Sequence, residues 1–305
     1  MHDVIIIGAG PAGYTAGIYC ARARHDTLLI SGILPGGQLM NTTDVENYPG
    51  FSDGIMGPDL MTVMRKQTEK MGTKIIDDEV TSVDFKNNPL KVKTASEEFE
   101  ARAVIVCTGA NPRKIGLDGE QTFAGKGVSY CATCDGAFFR DQELIVVGGG
   151  DSAMEEAIFL TKFASVVHIV HRKEEFRASK IMQERALSNE KIKVHFNSTV
   201  KEIHGDQKFQ QVVLNNTKTN EDKILEAGGL FIAIGHEPNS AIFQDQIELD
   251  ENGYIIIKNN TETSMSGVFC AGDVHDHRYR QAVTAAGFGC MAAIDVDKYL
   301  SESDT

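Results

Sequence analysis

The chain has 305 residues, more than one ordinary hydrophobic core accommodates, and this length is typical of two domains. Its 30 basic and 43 acidic residues give a formal net charge of −13, and such a surface repels nucleic acid and anionic membranes. We therefore expect neither as a partner. Hydrophobic residues make up 42% and charged residues 24%, as in a soluble globular protein.

The first residues predict a strand, a phosphate-binding turn and a helix. The apolar run Val4–Ile7 leads into Gly8–Gly13, and small residues then continue from Tyr14 to Ala21. In this setting the glycines let a pyrophosphate approach the helix N-terminus. The residues expected to surround it are Gly8, Gly10, Pro11, Ala12 and Gly13. No signal-peptide pattern precedes the strand and no run is long enough for a membrane span, so we expect a cytoplasmic protein.

The same arrangement recurs 140 residues further on. The apolar run Leu144–Val147 leads into Gly148–Ala153 and a helix predicted to continue through Phe163. One glycine turn could be a tight turn without a ligand, but two copies in the same setting predict two nucleotide sites. The second turn is expected to use Gly148, Gly150, Asp151, Ser152 and Ala153.

Two apolar runs that stop at a glycine, with proline three residues later, place the domain boundaries near Pro112 and Pro238. We expect residues 1–112 and 239–305 to form one discontinuous nucleotide-binding domain, which resumes with a strand over Gly267–Ala271. We expect residues 113–238 to form a second nucleotide-binding domain, inserted in the first. The fold class is α/β, with two dinucleotide-binding, three-layer ββα Rossmann-like domains. Residues 84–101 predict an antiparallel rim strand, with residues 211–214 as the counterpart in the second domain.

Charges after the second strand of each unit distinguish the nucleotides, because this position faces the adenosine ribose. The predicted strand Val166–Val170 is followed by cations suited to the 2′-phosphate of NADPH, although a solvated basic face is the alternative. These residues are His171, Arg172, Lys173 and Arg177. Ser31–Ile33 carries no charge and favours a flavin dinucleotide, for which Gly272-Asp273 offers a carboxylate to a ribityl hydroxyl.

Cys131 and Cys134 form the one Cys-x-x-Cys pair in the sequence, and Asp135 follows as a candidate proton donor. A redox-active pair is the favoured interpretation; half of a zinc site and a structural disulfide remain alternatives. The pair precedes Gly148 by 14 residues and so belongs to the predicted NADPH domain. We expect this domain to rotate, presenting disulfide and nicotinamide to the flavin in turn.

The run Cys131–Gly136 resembles the active-site motif of the low-molecular-weight, bacterial-type thioredoxin reductases. Further matches follow in the order of that family, from residue 4 to about residue 300. They comprise Gly36–Leu39, Val45–Gly50, Glu155–Ala157, His171-Arg172 and Arg280–Ala282.

The resemblance implies a homodimer that passes electrons from NADPH through FAD and the cysteine pair to a thioredoxin disulfide. It implies that Cys134 lies against the flavin, that Cys131 attacks thioredoxin and that Asp135 exchanges protons with the dithiol. It also implies FAD contacts from Gly37, Gln38, Asn47, Val80, Asp273, Arg280, Gln281 and Ala282. To these we add the turn residues Gly32, Thr108, Gly109 and Gly272.

The sequence departs from the family pattern at a few positions. Lys173 stands where arginine is usual, Leu34 where an acid is frequent and Ala137 where a larger apolar residue is common; His275 and Arg278 are also unusual. The alternative function is reduction of another thioredoxin-like or peroxiredoxin-type partner, although relatives with that role carry an amino-terminal thioredoxin-like extension. A ferredoxin–NADP reductase would lack the cysteine pair, and a redox sensor or a zinc-binding structural protein would lack turnover.

Overall fold

The computed structural model describes residues 1–33 and 35–303, so the predicted departure at Leu34 lies outside the described residues. Strands and helices are numbered along the chain. The strands are β1 (His2–Ile7), β2 (Thr27–Ile30), β3 (Asp44–Val45), β4 (Ile55–Met56), β5 (Lys74–Ile76), β6 (Val80–Asp84), β7 (Leu90–Thr94), β8 (Glu98–Val106), β9 (Ala110–Pro112), β10 (Val128–Ser129), β11 (Glu143–Gly148), β12 (Val166–Val170), β13 (Ile192–His195), β14 (Ser198–Gly205), β15 (Phe209–Asn216), β16 (Asp222–Glu226), β17 (Gly229–Ala233), β18 (His236–Pro238) and β19 (Val268–Cys270). The α-helices are α1 (Pro11–Arg22), α2 (Gly57–Met71), α3 (Asp118–Thr122), α4 (Ala132–Asp135), α5 (Asp151–Leu160), α6 (Lys180–Leu187) and α7 (Ala282–Ser303).

The chain divides into two compact units, and the second is inserted in the first. Unit 1 comprises Met1–Asn111 and His236–Thr305, and unit 2 comprises Pro112–Gly235. Parallel sheets with helices connecting their strands confirm the predicted α/β class. The cofactor that each unit binds stays a prediction at this point.

Unit 1 is built on a parallel sheet in the order β5-β2-β1-β8-β19. The first half of β8 pairs antiparallel with β7, and β7 pairs with β6, so one strand of nine residues serves both layers. The prediction of a single rim strand over residues 84–101 was therefore wrong. The chain turns after β6, where the Asp84 carboxylate accepts hydrogen bonds from the Lys86 amide and the Asn87 side chain, and turns again between β7 and β8.

The apolar run in β1 is buried on both faces, as expected of a central parallel strand. Val4 and Ile6 pack in the core beneath α1 and α7, whereas Ile5 and Ile7 pack in the core on the opposite face of the sheet. The end of β1 and the start of α1 are consequently held between two packed layers, which fixes the turn that joins them.

Unit 2 repeats this plan with a parallel sheet in the order β10-β17-β11-β12-β13. A separate antiparallel sheet, β14-β15-β16, covers one face, and the predicted segment 211–214 lies in its central strand. Helix α5 ends at Leu160, three residues before the predicted end, because the chain turns over 161–163 and the Phe163 carbonyl accepts from the Asp141 amide instead. Within the described ranges, no helix is both long and apolar enough to cross a bilayer.

Candidate functional site

The first glycine turn joins β1 to α1 through backbone that admits no side chain at two positions. Gly8 has φ of +109°, and a Cβ there would lie 2.3 Å from the Cys107 carbonyl oxygen. A Cβ on Gly13 would lie 1.9 Å from the carbonyl oxygen of Gly8. Gly10, by contrast, caps α1 without a side-chain hydrogen bond and faces open space. The uncapped amides at this helix start can bind a phosphate.

The second turn, between β11 and α5, has the same construction. A Cβ on Gly148 would lie 2.4 Å from the Ala233 carbonyl oxygen, and Gly150 again caps its helix while facing open space. Ala153 stands where the first turn has Gly13, so this turn accommodates a methyl group at that position. The adjacent Asp151 carboxylate accepts from the amide and hydroxyl of Ser179, which ties the turn to the start of α6.

A basic loop follows β12 and is fastened to the second turn. The amides of Arg177 and Ala178 donate to the Gly149 carbonyl at 2.7 and 3.1 Å. The side chains of Arg172, Lys173 and Arg177 are exposed, and none forms an ion pair with a carboxylate in the part of the chain that the structure describes. The loop that is fastened to the second glycine turn therefore carries three cations without a carboxylate partner among residues 1–33 and 35–303.

His171, predicted with these cations, is buried behind the turn. Its ring fills the space that a side chain at position 149 would take, since a Cβ added to Gly149 would lie 2.2 Å from the His171 Nδ1. Its Nε2 donates to the Glu175 carbonyl at 3.0 Å. Burial, together with the neighbouring Arg177 and Arg172, lowers the pKa of His171, so at neutral pH it supports the loop as an uncharged ring.

In unit 1, several residues predicted to contact the flavin surround the first glycine turn. The Gly36 amide donates to the Ala9 carbonyl. This contact holds Gly37 close to the first turn, since a Cβ added to Gly37 would lie 3.7 Å from the Gly10 Cα. The Gln38 amide donates to Asn111 at 2.6 Å, and Asn111 donates to Asn239 at 2.9 Å.

The segment after β8 is connected to Asn239 in the same way. The hydroxyl of Thr108 donates to the Asn239 carbonyl, and the amide of Asn239 donates to the Gly109 carbonyl. On the other edge of the sheet, the Gly32 amide donates to the Asp78 carbonyl, two residues before Val80.

The turn after β19 supplies a buried carboxyl. Gly272 has φ of +83° and lies close enough to Ala12 that a Cβ would be 3.0 Å from the alanine methyl. Asp273 Oδ1 is buried without a hydrogen-bond partner among residues 1–33 and 35–303. Burial, and secondly the charge of Asp276, raises the pKa of Asp273 to about 7. A buried acceptor of this kind fits a hydroxyl donor from a bound ligand.

The loop from this turn to α7 is shaped by a residue that sequence reasoning missed. The carboxylate of Asp276 accepts from the amides of Arg278, Tyr279 and Arg280, and Arg280 adopts φ of +47°. Arg280 Nη1 then donates to His236 Nδ1 at 2.7 Å. Burial and the guanidinium lower the pKa of His236 to about 4, which keeps this nitrogen an acceptor.

Gln281 and Ala282 complete the predicted set at the start of α7. Asn47 donates to the Gln281 side-chain oxygen at 3.4 Å, so the segment around residue 47 meets the helix start. Predicted flavin residues scattered from residue 8 to residue 282 thus converge in one unit.

In unit 2, Cys131 and Cys134 are joined by a disulfide, with their Cα atoms 5.3 Å apart. Cys131 caps the single-turn helix α4, and the Cys134 amide donates to its Sγ at 3.2 Å. Cys131 is half-buried and Cys134 is exposed. Asp135 follows at the end of α4; burial raises the pKa of its carboxyl, and the hydroxyl of Ser129 opposes that rise. A disulfide beside a carboxyl of raised pKa can exchange electrons and protons at one place.

The sequence profile of the pyridine nucleotide-disulphide oxidoreductase family matches residues 2–289. A thioredoxin reductase from Streptomyces clavuligerus is 54% identical over 307 residues, covering 99% of this chain and 94% of that protein. A bifunctional thioredoxin reductase/thioredoxin from Mycobacterium leprae is 51% identical over 304 residues, covering 99% of this chain and 66% of that protein. The crystal structure of thioredoxin reductase from Streptococcus pyogenes has a TM-score of 0.95 and 44% identity, with 99% of both chains covered.

Proposed function

The chain belongs to the thioredoxin reductases within the pyridine nucleotide-disulphide oxidoreductase family, and from this premise we propose that it uses NADPH as electron donor and FAD as its flavin. As a member of that family it is a flavin-dependent oxidoreductase that acts on disulfides. The observation that carries the proposal is the Cys131–Cys134 disulfide in a chain with two glycine turns, each at the start of an uncapped helix. NADPH-dependent reduction of a thioredoxin disulfide by the flavin-loaded protein tests it.

In the proposed reaction, NADPH, one proton and a thioredoxin disulfide are converted to NADP⁺ and a thioredoxin dithiol. A flavin bound by unit 1 would supply the electron pair that reduces the disulfide, and NADPH bound by unit 2 would be the source of that pair. Cys131, as a thiolate, attacks one sulfur of the thioredoxin disulfide and releases the other as a thiolate. Cys134 then attacks Cys131 Sγ, which frees thioredoxin and restores the Cys131–Cys134 bond. Asp135 holds the proton that moves to or from the sulfur as this bond breaks and forms.

FAD as the flavin is supported by the residues around the first turn. Gly10 leaves space for a pyrophosphate, and the uncapped amides of α1 would bind it. The buried and unpartnered Oδ1 of Asp273 would accept from a ribityl hydroxyl. Three polar side chains, each oriented by a hydrogen bond, would hydrogen-bond the remaining polar atoms of the flavin. They are Gln38, Asn47 and Gln281.

NADPH as the donor is supported by the basic loop, and this proposal predicts a cofactor preference. Arg172→Ala should lower kcat/KM for NADPH by about 10- to 100-fold, because a charge-assisted contact to the 2′-phosphate is lost. The value for NADH, which lacks that phosphate, should hardly change. Arg185→Ala, which removes an exposed cation from α6 in the same unit, is the matched control. Equal kcat/KM of the unchanged protein for NADPH and NADH would contradict the assignment.

Thioredoxin is the proposed acceptor, and the Mycobacterium leprae relative carries both activities in its name. The cytoplasm is the proposed location, because a reducing compartment keeps thiols free. Cys20, Cys107, Cys270 and Cys290 are free thiols in the described chain.

A homodimer is the proposed assembly, and its support is an exposed apolar stripe on α7. Val283, Met291 and Ile294 share one face of this helix and are 42%, 37% and 55% exposed. Ile294→Asp should therefore shift the sedimenting species from two chains to one, because it buries a charge in the interface. Ile224→Asp, at an exposed isoleucine of β16, should leave the mass unchanged. A single-chain mass for the unchanged protein would refute the dimer.

A further inference from the structure

Glu120 is a buried carboxyl group that the proposed reaction does not use. It lies in the short helix α3 and is 2% exposed. Its Oε1 accepts from the Ile115 amide at 3.1 Å and from the Tyr130 hydroxyl at 2.9 Å, and its Oε2 accepts from the Gly116 amide at 2.8 Å. All three partners are donors, which suits a carboxylate because a carboxylate only accepts. The group therefore joins two segments of unit 2 that are separate in sequence.

Tyr130 stands between the parallel sheet and the cysteine pair. Strand β10 pairs with β17 as far as Ser129, and helix α4 has Cys131 as its N-cap. The Ser129 Oγ accepts from the Cys131 amide at 3.0 Å, so the chain is held on both sides of Tyr130. The hydroxyl of Tyr130 adds a further attachment, to Glu120. The backbone of Cys131 is thus fixed by the sheet, by Ser129 and by the contact between Tyr130 and Glu120.

The structure to which Tyr130 is fastened is itself tightly packed. A Cβ on Gly119, the neighbour of Glu120, would lie 2.5 Å from the Ile203 carbonyl oxygen, so α3 lies directly on strand β14. Phe123 is buried in the same hydrophobic core as Ile203, and the Tyr130 side chain packs against that core. Burial, and secondly the hydrogen bond to Glu120, raises the pKa of Tyr130. The phenol therefore stays protonated and donates at neutral pH.

We propose that Glu120 is a positioning residue which, through the Tyr130 hydroxyl, fixes the backbone of Cys131 and so controls how readily the Cys131–Cys134 disulfide is reduced. The inference rests on the proposed electron path through this pair. Reduction adds two electrons and two protons and converts the disulfide to two thiols, and the disulfide reductase activity supplies the electrons. A fixed Cys131 raises the effective concentration of one thiol for the other, which favours the disulfide. Release of Tyr130 would lower that concentration and make the pair easier to reduce.

The test measures the equilibrium between the disulfide and the two thiols in the flavin-loaded protein. Mixtures of reduced and oxidised dithiothreitol supply the electron pair, since this dithiol closes to a cyclic disulfide as the Cys131–Cys134 bond opens. Alkylation of the free thiols, followed by mass spectrometry, gives the reduced fraction of the peptide that carries the pair. In Tyr130→Phe, which removes only the hydroxyl, the equilibrium constant for reduction should rise by about 3- to 10-fold, the scale of one hydrogen bond.

Further variants separate positioning from stability. Glu120→Gln keeps the size of the side chain but places an amide donor among three donors, and it should shift the constant at least as far as Tyr130→Phe. The double variant should shift it no further than Glu120→Gln alone, because one contact can be lost only once. Ser198→Ala is the matched control. It removes another buried hydroxyl of unit 2, which donates to the Phe196 carbonyl at 2.9 Å, and it should lower the melting temperature without moving the constant.

The possible outcomes are distinguishable. An unchanged constant in Tyr130→Phe, with a melting temperature lowered as in Ser198→Ala, would show that the contact only stabilises the fold and would overturn the inference. Additive shifts in the double variant would overturn the coupling of Glu120 to Tyr130. If Glu120→Gln does not retain flavin, Tyr130→Phe compared with Ser198→Ala decides alone. The measurement needs neither NADPH nor thioredoxin, so a shifted constant without thioredoxin turnover would refute the proposed acceptor and leave the role of Glu120 intact.

Discussion

Cys131→Ser and Cys134→Ser should each lower NADPH-dependent thioredoxin reduction on the order of 10³-fold or more, because disulfide exchange needs an attacking and a resolving thiol. A serine hydroxyl supplies neither at neutral pH. Reduction of the flavin by NADPH should persist in both variants, since hydride transfer requires no sulfur. Stopped-flow flavin reduction, compared with steady-state thioredoxin turnover, separates the two steps.

The two variants should differ in one spectroscopic respect. Cys131→Ser keeps Cys134, the sulfur proposed to lie against the flavin, and should retain a thiolate–flavin charge-transfer absorbance in the reduced protein. Cys134→Ser should lose that absorbance. Cys290→Ser, at the least buried of the free cysteines, is the control and should keep turnover. Near-normal turnover by either single variant of the pair would refute the relay, and loss of flavin reduction in both would refute the separation of the steps.

Local patterns in the sequence predicted the fold well because the signals for strands and glycine turns lie within a few neighbouring residues. The predicted strand Val166–Val170 coincides with β12, and both apolar runs that precede a glycine turn are central parallel strands. Boundaries set by more distant partners were less accurate. Helix α5 ends early because the Phe163 carbonyl accepts from Asp141, a residue that precedes the whole β11–α5 unit.

In the candidate site, too, residues with local sequence signals were predictable, whereas residues placed by distant contacts were not. Cys131, Cys134 and Asp135 are adjacent, and Gly272-Asp273 follows a recognisable strand, so each could be predicted. His236 was missed because it meets Arg280 only after the chain has folded, 44 residues away in sequence. The buried position of His171 depends on the missing side chain of Gly149, which periodicity does not reveal.

The two glycines that cap α1 and α5 allow each cofactor to be removed separately. Gly10 and Gly150 have extended backbone and face open space, so alanine should fold at either position. The added methyl group would nevertheless occupy the space through which a pyrophosphate reaches the helix amides. Gly13 is unsuitable for this purpose, because its Cβ would lie 1.9 Å from the Gly8 carbonyl oxygen and would displace the turn itself.

The unchanged protein should carry about one FAD per chain, because the chain has a single glycine turn, Gly8–Gly13, that is assigned to the flavin. Gly10→Ala should lose most of that flavin, and turnover with it, because the methyl group would keep the pyrophosphate away from the helix amides. Gly150→Ala should keep its flavin but show a KM for NADPH raised by about tenfold or more. Flavin released on denaturation and kcat/KM for NADPH are the two measurements, and circular dichroism checks the fold. Each variant serves as the control for the other, because both add one methyl group at the same point of the same motif. If Gly150→Ala lost flavin while Gly10→Ala kept it, the assignment of FAD to unit 1 and NADPH to unit 2 would be reversed.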